Sequence, residues 1–197
     1  MEIKYIKLTE QNYTKVWEIF LDGFIDSHYF TAIKPDKKQR IEMFENIYAP
    51  AIKYCINQGT SYAITKDGEI AGYNLIAEYS EETKKQFEAT FFDTFIQAGE
   101  KEVEVLRKRF EEINKKYPKI SYFLIGVMSK KYRGMGLGKK INKYVVLKNE
   151  NIPIMAELTS KEIIAIYDKI APKRKIIKEQ LTDTYVITTL LPEEVEK

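Results

Sequence analysis

The sequence predicts an α/β protein with a mixed sheet and helices on both of its faces. The first observation is the order of elements, because segments with strand-like apolar patterns alternate with amphipathic segments of helical period. The second is the Asp67-Gly68 turn between two strand-like runs, which is typical of a β-hairpin. The third is a glycine-rich loop at 134–138, which joins an apolar strand-like run to an amphipathic segment.

The first half of the chain supplies the elements up to the hairpin. In chain order they are a strand at about 2–8, a helix capped by Thr9, an aromatic loop at 26–34, a second helix opened by Pro35 and kinked at Pro50, and hairpin strands at 61–65 and 70–79 with Gly72 at a bulge or close approach.

The second half supplies the remaining strands and helices. In chain order they are a helical insertion at about 81–117, a buried strand at 119–128, a helix after the glycines, a strand at 152–158, a helix capped by Ser160 and ended by Pro172, and two strands at about 174–181 and 184–191.

Length and composition narrow the class of protein. The 197 residues fit a single domain, 1–197, and 44% hydrophobic residues are too many for a disordered chain. The net charge of +3 gives no reason to expect a nucleic-acid or membrane partner. One cysteine, Cys55, and one histidine, His28, are too few for a disulfide framework or a zinc site, so no metal is expected. No signal-peptide pattern or long apolar run is present, so a cytoplasmic location is expected.

The glycine-rich loop is the segment that carries chemistry. Its spacing fits neither the dinucleotide fingerprint nor the Walker phosphate loop, so neither NAD nor ATP is the expected ligand. From Ser129 to Asn149 there are seven basic residues and no acidic one. A solvated basic helix face beside an ordinary glycine turn is one interpretation. Glycines, positive charge and a helix N-terminus together favour an anion site.

The run Arg133-Gly134-Met135-Gly136-Leu137-Gly138 resembles the [RQ]-x-x-G-x-[GA] signature of the GNAT superfamily of acetyl-CoA-dependent N-acetyltransferases. A second block, Glu157 to Ser160 followed by Ile166 to Ile170, resembles a conserved segment of the same family. The resemblance implies a GNAT fold, in which a mixed, mostly antiparallel sheet of about seven strands is flanked by helices. The insertion at about 81–117 would then cover the acceptor side. Acetyl-CoA would be the co-substrate and an amine the acceptor.

The resemblance also implies roles for individual residues. The backbone of Val127 and Met128 would pair with the pantetheine arm, and Ser160 would lie near it. Tyr167 would protonate the departing thiolate. The pyrophosphate would be cradled by the backbone of a loop that starts at Arg133 and continues through Gly134, Met135, Gly136, Leu137, Gly138 and Lys139.

The general base is left open by the sequence. A base is useful because only about one part in a thousand of a free alkylamine is neutral at pH 7. Glu78, near the end of the third strand, and Glu157, on the fifth, are the candidates. His28 is a third group able to titrate near neutral pH.

Two further functions compete with acetyl transfer to a primary amine in a ternary complex. One is a non-catalytic GNAT-fold module that binds CoA or acyl-CoA as a sensor or scaffold. The other is a nucleic-acid binder that uses the basic helix at 139–148, which lacks the interleaving of aromatic and basic residues typical of single-strand binding. The acceptor itself is not identified by the sequence, and a homodimer is possible.

Overall fold

Seven strands of the chain form one sheet in the computed structural model, which describes residues 2–95, 100–158, 167, 169–171, 173–180 and 186–193. The strands are β1 (Ile3–Lys7), β2 (Tyr62–Lys66), β3 (Glu69–Ser80), β4 (Lys119–Met128), β5 (Ile154–Leu158), β6 (Lys175–Gln180) and β7 (Val186–Leu191). Their order is β1-β2-β3-β4-β5-β7-β6, with β4 and β5 parallel and every other neighbouring pair antiparallel. The predicted mixed sheet is confirmed.

Helices cover both faces of this sheet. They are α1 (Tyr13–Phe24), α2 (His28–Ile33), α3 (Lys37–Met43), α4 (Ala49–Asn57), α5 (Lys84–Phe87), α6 (Asp93–Phe95), α7 (Glu100–Asn114) and α8 (Leu137–Lys148). Two apolar cores result. Helices α1 to α7 supply the larger core on one face, and α8 packs on the other face with Tyr167 and Ile170.

The segment predicted to be a loop at 26–34 contains the short helix α2, so that prediction is wrong. The Ser27 side chain accepts a hydrogen bond from the Phe30 N–H at 3.4 Å and caps the helix. Serine is a typical N-cap residue, but the segment has no sustained apolar period of helical spacing, so the sequence did not indicate a helix there. Buried Arg40 fixes the segment from outside. Its guanidinium donates to the carbonyl of Ile25 before α2 and to those of Lys34 and Pro35 after it, at 2.6 to 2.7 Å.

The helix opened by Pro35 stays helical past Pro50. A wider, π-helical turn at Phe44–Tyr48 joins α3 to α4 just before this proline, which lacks the N–H of a regular helical turn. Beyond it, the predicted hairpin forms at the Asp67-Gly68 turn. A shift of register next to Gly72 confirms the bulge expected there, and a Cβ at Gly72 would lie 2.6 Å from the Val127 carbonyl oxygen.

The helical insertion lies between β3 and β4, as predicted. Phe87 at the end of α5, Phe91 and Phe92 in the π-helical segment Glu88–Phe92, and four apolar residues of α7 are all buried, so the apolar residues of the insertion belong mostly to the core. The junction at 96–99 lies outside the described residues.

The parallel strands β4 and β5 are joined over only three residue pairs, from Ser121 opposite Ile154 to Phe123 opposite Ala156. Past this last rung no pair joins the two strands in the part of the chain that is described. The register of β4 against β3 also shifts here, since Leu75 faces Ile125 and the next residue, Ile76, faces Phe123. The bulge leaves Leu124 unpaired at the point where β4 turns away from β5.

Candidate active site

A cavity of about 380 Å³ occupies the gap between β4 and β5. Its walls come from both cores. Tyr167, Asn142 and Leu158 line it on the α8 face, whereas Phe30, Tyr48 and other rings line it on the face of α1 to α7. The cavity therefore connects the two faces of the sheet, so that two ligands can meet there from opposite sides.

Glu157 is the acidic side chain of this cavity. It follows Ala156, the last residue of β5 that pairs with β4, and its carboxylate accepts a hydrogen bond from the hydroxyl of Tyr122 on β4. Burial raises the pKa of Glu157 to about 7, an effect that the Tyr122 hydrogen bond opposes and the negative charge of Glu102 on α7 reinforces. A carboxylate with such a pKa can accept a proton near neutral pH.

Tyrosine hydroxyls surround the same space. Burial raises the pKa of Tyr29 to about 12, and the charge of Glu157 adds to the effect. Burial likewise raises the pKa of Tyr48 and of Tyr167 above the usual tyrosine range. All three hydroxyls therefore keep their protons at neutral pH.

Glu78, the alternative base, lies away from the cavity. Its carboxylate pairs with Lys119 Nζ at 3.2 Å, and it faces Ser121 at the far end of the strand pair. The residue of β3 that reaches the cavity is Asn74. His28 lines the cavity from α2.

The glycine-rich loop begins the helix α8 as expected. Gly134 and Gly136 have φ of +75° and +71°, and a Cβ at either would meet no atom within 4 Å. Positive φ favours glycine, and the surrounding open space leaves room for a ligand against the backbone. Gly136 is the N-cap of α8, so the first N–H groups of a twelve-residue helix point into this space.

Ion pairs hold the residues that precede these glycines. Lys130 Nζ lies 2.7 Å from Asp22 on α1, and this contact lowers the pKa of the Asp22 carboxyl. Glu69 accepts hydrogen bonds from Lys131 at 2.5 Å and from the Tyr132 hydroxyl at 2.6 Å. The segment Lys130–Tyr132 is thus attached to α1 through Asp22 and to β3 through Glu69, just before the chain reaches Gly134.

The other predicted ligand-binding residues cluster at the same place. Val127 and Met128 end β4, and the Met128 carbonyl accepts a hydrogen bond from Arg133 Nε at 3.1 Å. Met135 and Lys139 are exposed, while Leu137 is buried and anchors the first turn of α8. A Cβ at Gly138 would lie 3.5 Å from the Met128 side chain. Ser160 lies outside the described residues.

Sequence reasoning missed the pair formed by Asn74 and Asn142. The Asn74 amide donates to the Asn142 side-chain oxygen at 2.8 Å, and both residues line the cavity. Asn74 is 2% exposed, in a strand whose neighbours are apolar. A polar residue within an apolar strand was the available signal, because buried amides need partners.

Neither a cluster of metal ligands nor a membrane-spanning helix is present in the described residues. No three His, Cys, Asp or Glu side chains come together in a way that would hold a metal ion. No helix in the described segments has the length and apolar character needed to cross a membrane.

Solved structures share this architecture. A mosquito arylalkylamine N-acetyltransferase-like protein, 5b, is 14% identical with a TM-score of 0.65, covering 96% of this chain and 100% of that one. An apo agmatine N-acetyltransferase variant is 11% identical with a TM-score of 0.62, covering 96% and 98%. A GNAT family acetyltransferase from Bacillus cereus is 11% identical with a TM-score of 0.51, covering 100% of both chains.

No protein-family model and no curated protein sequence matches the chain. The likeness to the solved structures lies in the sheet order, the helices on both faces and the extent of the match. At these sequence identities it establishes the fold. The chain therefore has the fold of the GNAT acetyltransferases.

Proposed function

We propose that this chain is an N-acetyltransferase that moves an acetyl group from acetyl-CoA to a primary amine, both substrates being bound at once. The observation that carries the proposal is the gap between β4 and β5. It leads from the glycine-rich loop to a cavity that contains Glu157 and Tyr167. The N-acetyltransferases among the structures of the same fold support the class of reaction.

The donor side fits the shape and charge of CoA. The backbone N–H groups that follow Gly134 and Gly136 would hold the pyrophosphate, with Lys139 and Lys140 beside them on α8. Beyond Phe123, the edge of β4 that faces β5 pairs with no strand in the described residues, so it would accept the extended pantetheine arm as an added strand. Val127 and Met128 lie on this edge, next to the loop.

The acceptor side supplies the proton chemistry. In this proposal Glu157 takes a proton from the bound ammonium, and the neutral nitrogen attacks the acetyl carbonyl. The N–C bond forms, the attacking nitrogen loses its second proton to solvent, and the C–S bond breaks. Glu157 then returns its proton to solvent. The leaving thiolate receives a proton from the hydroxyl of Tyr167, which solvent then reprotonates. Tyr122 fixes the orientation of the Glu157 carboxylate through its hydrogen bond.

Calorimetric titration with acetyl-CoA and with desulfo-CoA tests the donor site. We expect micromolar binding by the natural chain, and its loss in the double variant Gly136→Asp, Gly138→Asp, because two carboxylates would repel the pyrophosphate. Gly68→Asp is the control, since Gly68 is also a positive-φ glycine with nothing within 4 Å but lies in the hairpin turn.

Release of free thiol in the presence of amines tests turnover. Binding of acetyl-CoA without thiol release from any amine would favour a non-catalytic CoA-binding module. A folded chain that binds neither acetyl-CoA nor desulfo-CoA would contradict the proposal.

A further inference from the structure

Aromatic rings form a continuous wall on the acceptor side of the cavity. Phe20 contacts Phe24 at a centroid distance of 5.1 Å, and Phe24 contacts Phe30 at 5.8 Å. Phe30 contacts Tyr48 at 5.4 Å, and Tyr48 contacts Phe95 at 5.1 Å. These five rings come from α1, α2, the π-helical turn and the insertion, and all five line the cavity.

Most of these contacts are edge to face, at interplanar angles of 71° to 90° for the last three pairs. Rings that hold one another in this way keep a fixed surface, because each ring is oriented by its neighbours. Arg40 also fixes α2, which carries Phe30, at both of its ends. The wall is therefore built into the fold before any acceptor binds.

Charge is concentrated at one place in the cavity. Among its described lining residues Glu157 is the single acidic side chain, and none is Lys or Arg. The next carboxylate, Glu102, shares with Glu157 a neighbouring cavity of about 40 Å³. Both negative charges thus lie at the Phe95 end of the wall. Among the described lining residues, the rest of the wall, from Phe20 to Tyr48, has no carboxylate for a second ammonium group. An ammonium buried without a partner carries a large desolvation cost.

We infer that the acceptor is a primary amine with one positive charge and an aromatic or comparable apolar body. This inference rests on the proposed function. Its ammonium group lies at Glu157, and its body packs on the wall formed by the rings from Phe20 to Phe95. Amines with a second cationic end, such as diamines and guanidinylated amines, are poor acceptors. The volume of about 380 Å³ suits a small molecule of this kind.

Rates of thiol release from acetyl-CoA with defined amines test the inference. The probes are 2-phenylethylamine for the aromatic class, n-hexylamine for an apolar body without a ring, and putrescine and agmatine for dications. We expect kcat/KM for 2-phenylethylamine to exceed that for putrescine and agmatine at least tenfold. Equal or faster turnover of either dication would overturn the inference. So would no turnover of 2-phenylethylamine or n-hexylamine by a chain that binds acetyl-CoA.

Two variants at Phe95 locate the preference in the wall. Phe95 is half-buried, so its substitution puts folding at less risk than that of the fully buried rings. Phe95→Leu should raise the KM for 2-phenylethylamine several-fold, and Phe95→Asp should shift the preference toward putrescine. Tyr117→Leu is the control, a half-buried aromatic at the end of the same insertion that does not line the cavity. Unchanged amine preference in both Phe95 variants would contradict a role for the wall.

The failure of this inference and that of the proposed function have different signatures. Acetyl-CoA binding together with faster turnover of putrescine or agmatine keeps the acetyltransferase and removes only the aromatic acceptor. A chain that binds no acetyl-CoA removes both.

Discussion

The hydroxyl of Tyr122 donates a hydrogen bond to the carboxylate of Glu157 across the two strands that separate just beyond them. Tyr122 belongs to a paired rung of β4 and β5, whereas Glu157 lies one residue past the last rung. Strand β4, whose separation from β5 opens the cavity, thus also carries Tyr122, whose hydrogen bond orients the Glu157 carboxylate. Oriented in this way, Glu157 is held on the insertion face, where the acceptor is proposed to bind.

Replacing Glu157 with Gln tests the general base. A glutamine carbonyl can still accept the Tyr122 hydrogen bond, but it cannot take a proton at neutral pH. We expect kcat to fall about 100-fold or more, with little change in acetyl-CoA affinity. In the natural chain kcat/KM should rise with pH through about 7, because Glu157 acts as a base only when ionised. Glu78→Gln is the matched control and should keep full activity, and a reversed result would assign the base to Glu78.

The same substitution, Glu157→Gln, should increase the stability of the folded chain although it lowers kcat. The pKa of Glu157 is about 7 in the folded chain against 4.5 for an unperturbed carboxyl, so the folded state loses stability as pH rises through this interval. Glu157→Gln removes this loss. We expect the variant to gain up to roughly 3 kcal/mol relative to the natural chain between pH 4.5 and pH 8. Urea unfolding at both pH values measures it. A difference that does not grow with pH would show that Glu157 ionises freely when folded.

Glu102 links the insertion to this chemistry. Its negative charge raises the pKa of Glu157 from across the small cavity, while the Tyr122 hydrogen bond lowers it; Tyr29 and Tyr48 face Glu157 as neutral hydroxyls.

Glu102→Gln should therefore move the acid limb of the pH profile of kcat/KM toward lower pH. Glu104→Gln, an exposed carboxylate on the same helix, should leave the profile in place. Equal displacement in both variants would indicate a general effect of net charge.

Tyr167→Phe tests the proton donor. The phenyl ring preserves the packing of a side chain that is 4% exposed and removes only the hydroxyl. We expect a loss in kcat of about 10- to 1000-fold and an unchanged calorimetric Kd for acetyl-CoA. A thiolate of higher pKa is a poorer leaving group and depends more on protonation by an acid. The loss of kcat in Tyr167→Phe should therefore be larger with an acetyl thioester whose thiol has a higher pKa than that of CoA. Equal activity of the two proteins would remove Tyr167 from the chemistry.

Local patterns were enough to predict the sheet and the glycine-rich loop, because hairpin turns, apolar runs and helix N-termini depend on residues that are adjacent in the sequence. Tertiary contacts decided the rest. The helix α2 depends on Ser27 and on Arg40, which is 13 residues away, and no period within the segment indicates it. The choice between Glu78 and Glu157 depends on where β4 and β5 separate, because both lie near strand ends in the sequence. The pair Asn74–Asn142 joins elements 68 residues apart.

Arg40 should control acceptor binding through α2 without touching the acceptor. It is 4% exposed and donates to three carbonyls that flank α2, with Asp26 3.6 Å away. Arg40→Met leaves these carbonyls without their donor and should cost about 2–4 kcal/mol of stability. Because α2 carries His28, Tyr29 and Phe30 of the cavity wall, the KM for the amine should rise several-fold more than the Kd for acetyl-CoA.

A matched arginine separates this effect from lost stability. Arg174 also donates to backbone carbonyls, among them those of Ile152 and Leu190, but it does not line the cavity. Arg174→Met should destabilise the chain by a similar amount and leave the KM for the amine near that of the natural protein. Steady-state kinetics on both variants, at a temperature where urea unfolding shows each to be folded, makes the comparison. If the two variants raise the amine KM equally, the hydrogen bonds from Arg40 to the carbonyls around α2 contribute to stability alone and not to acceptor binding.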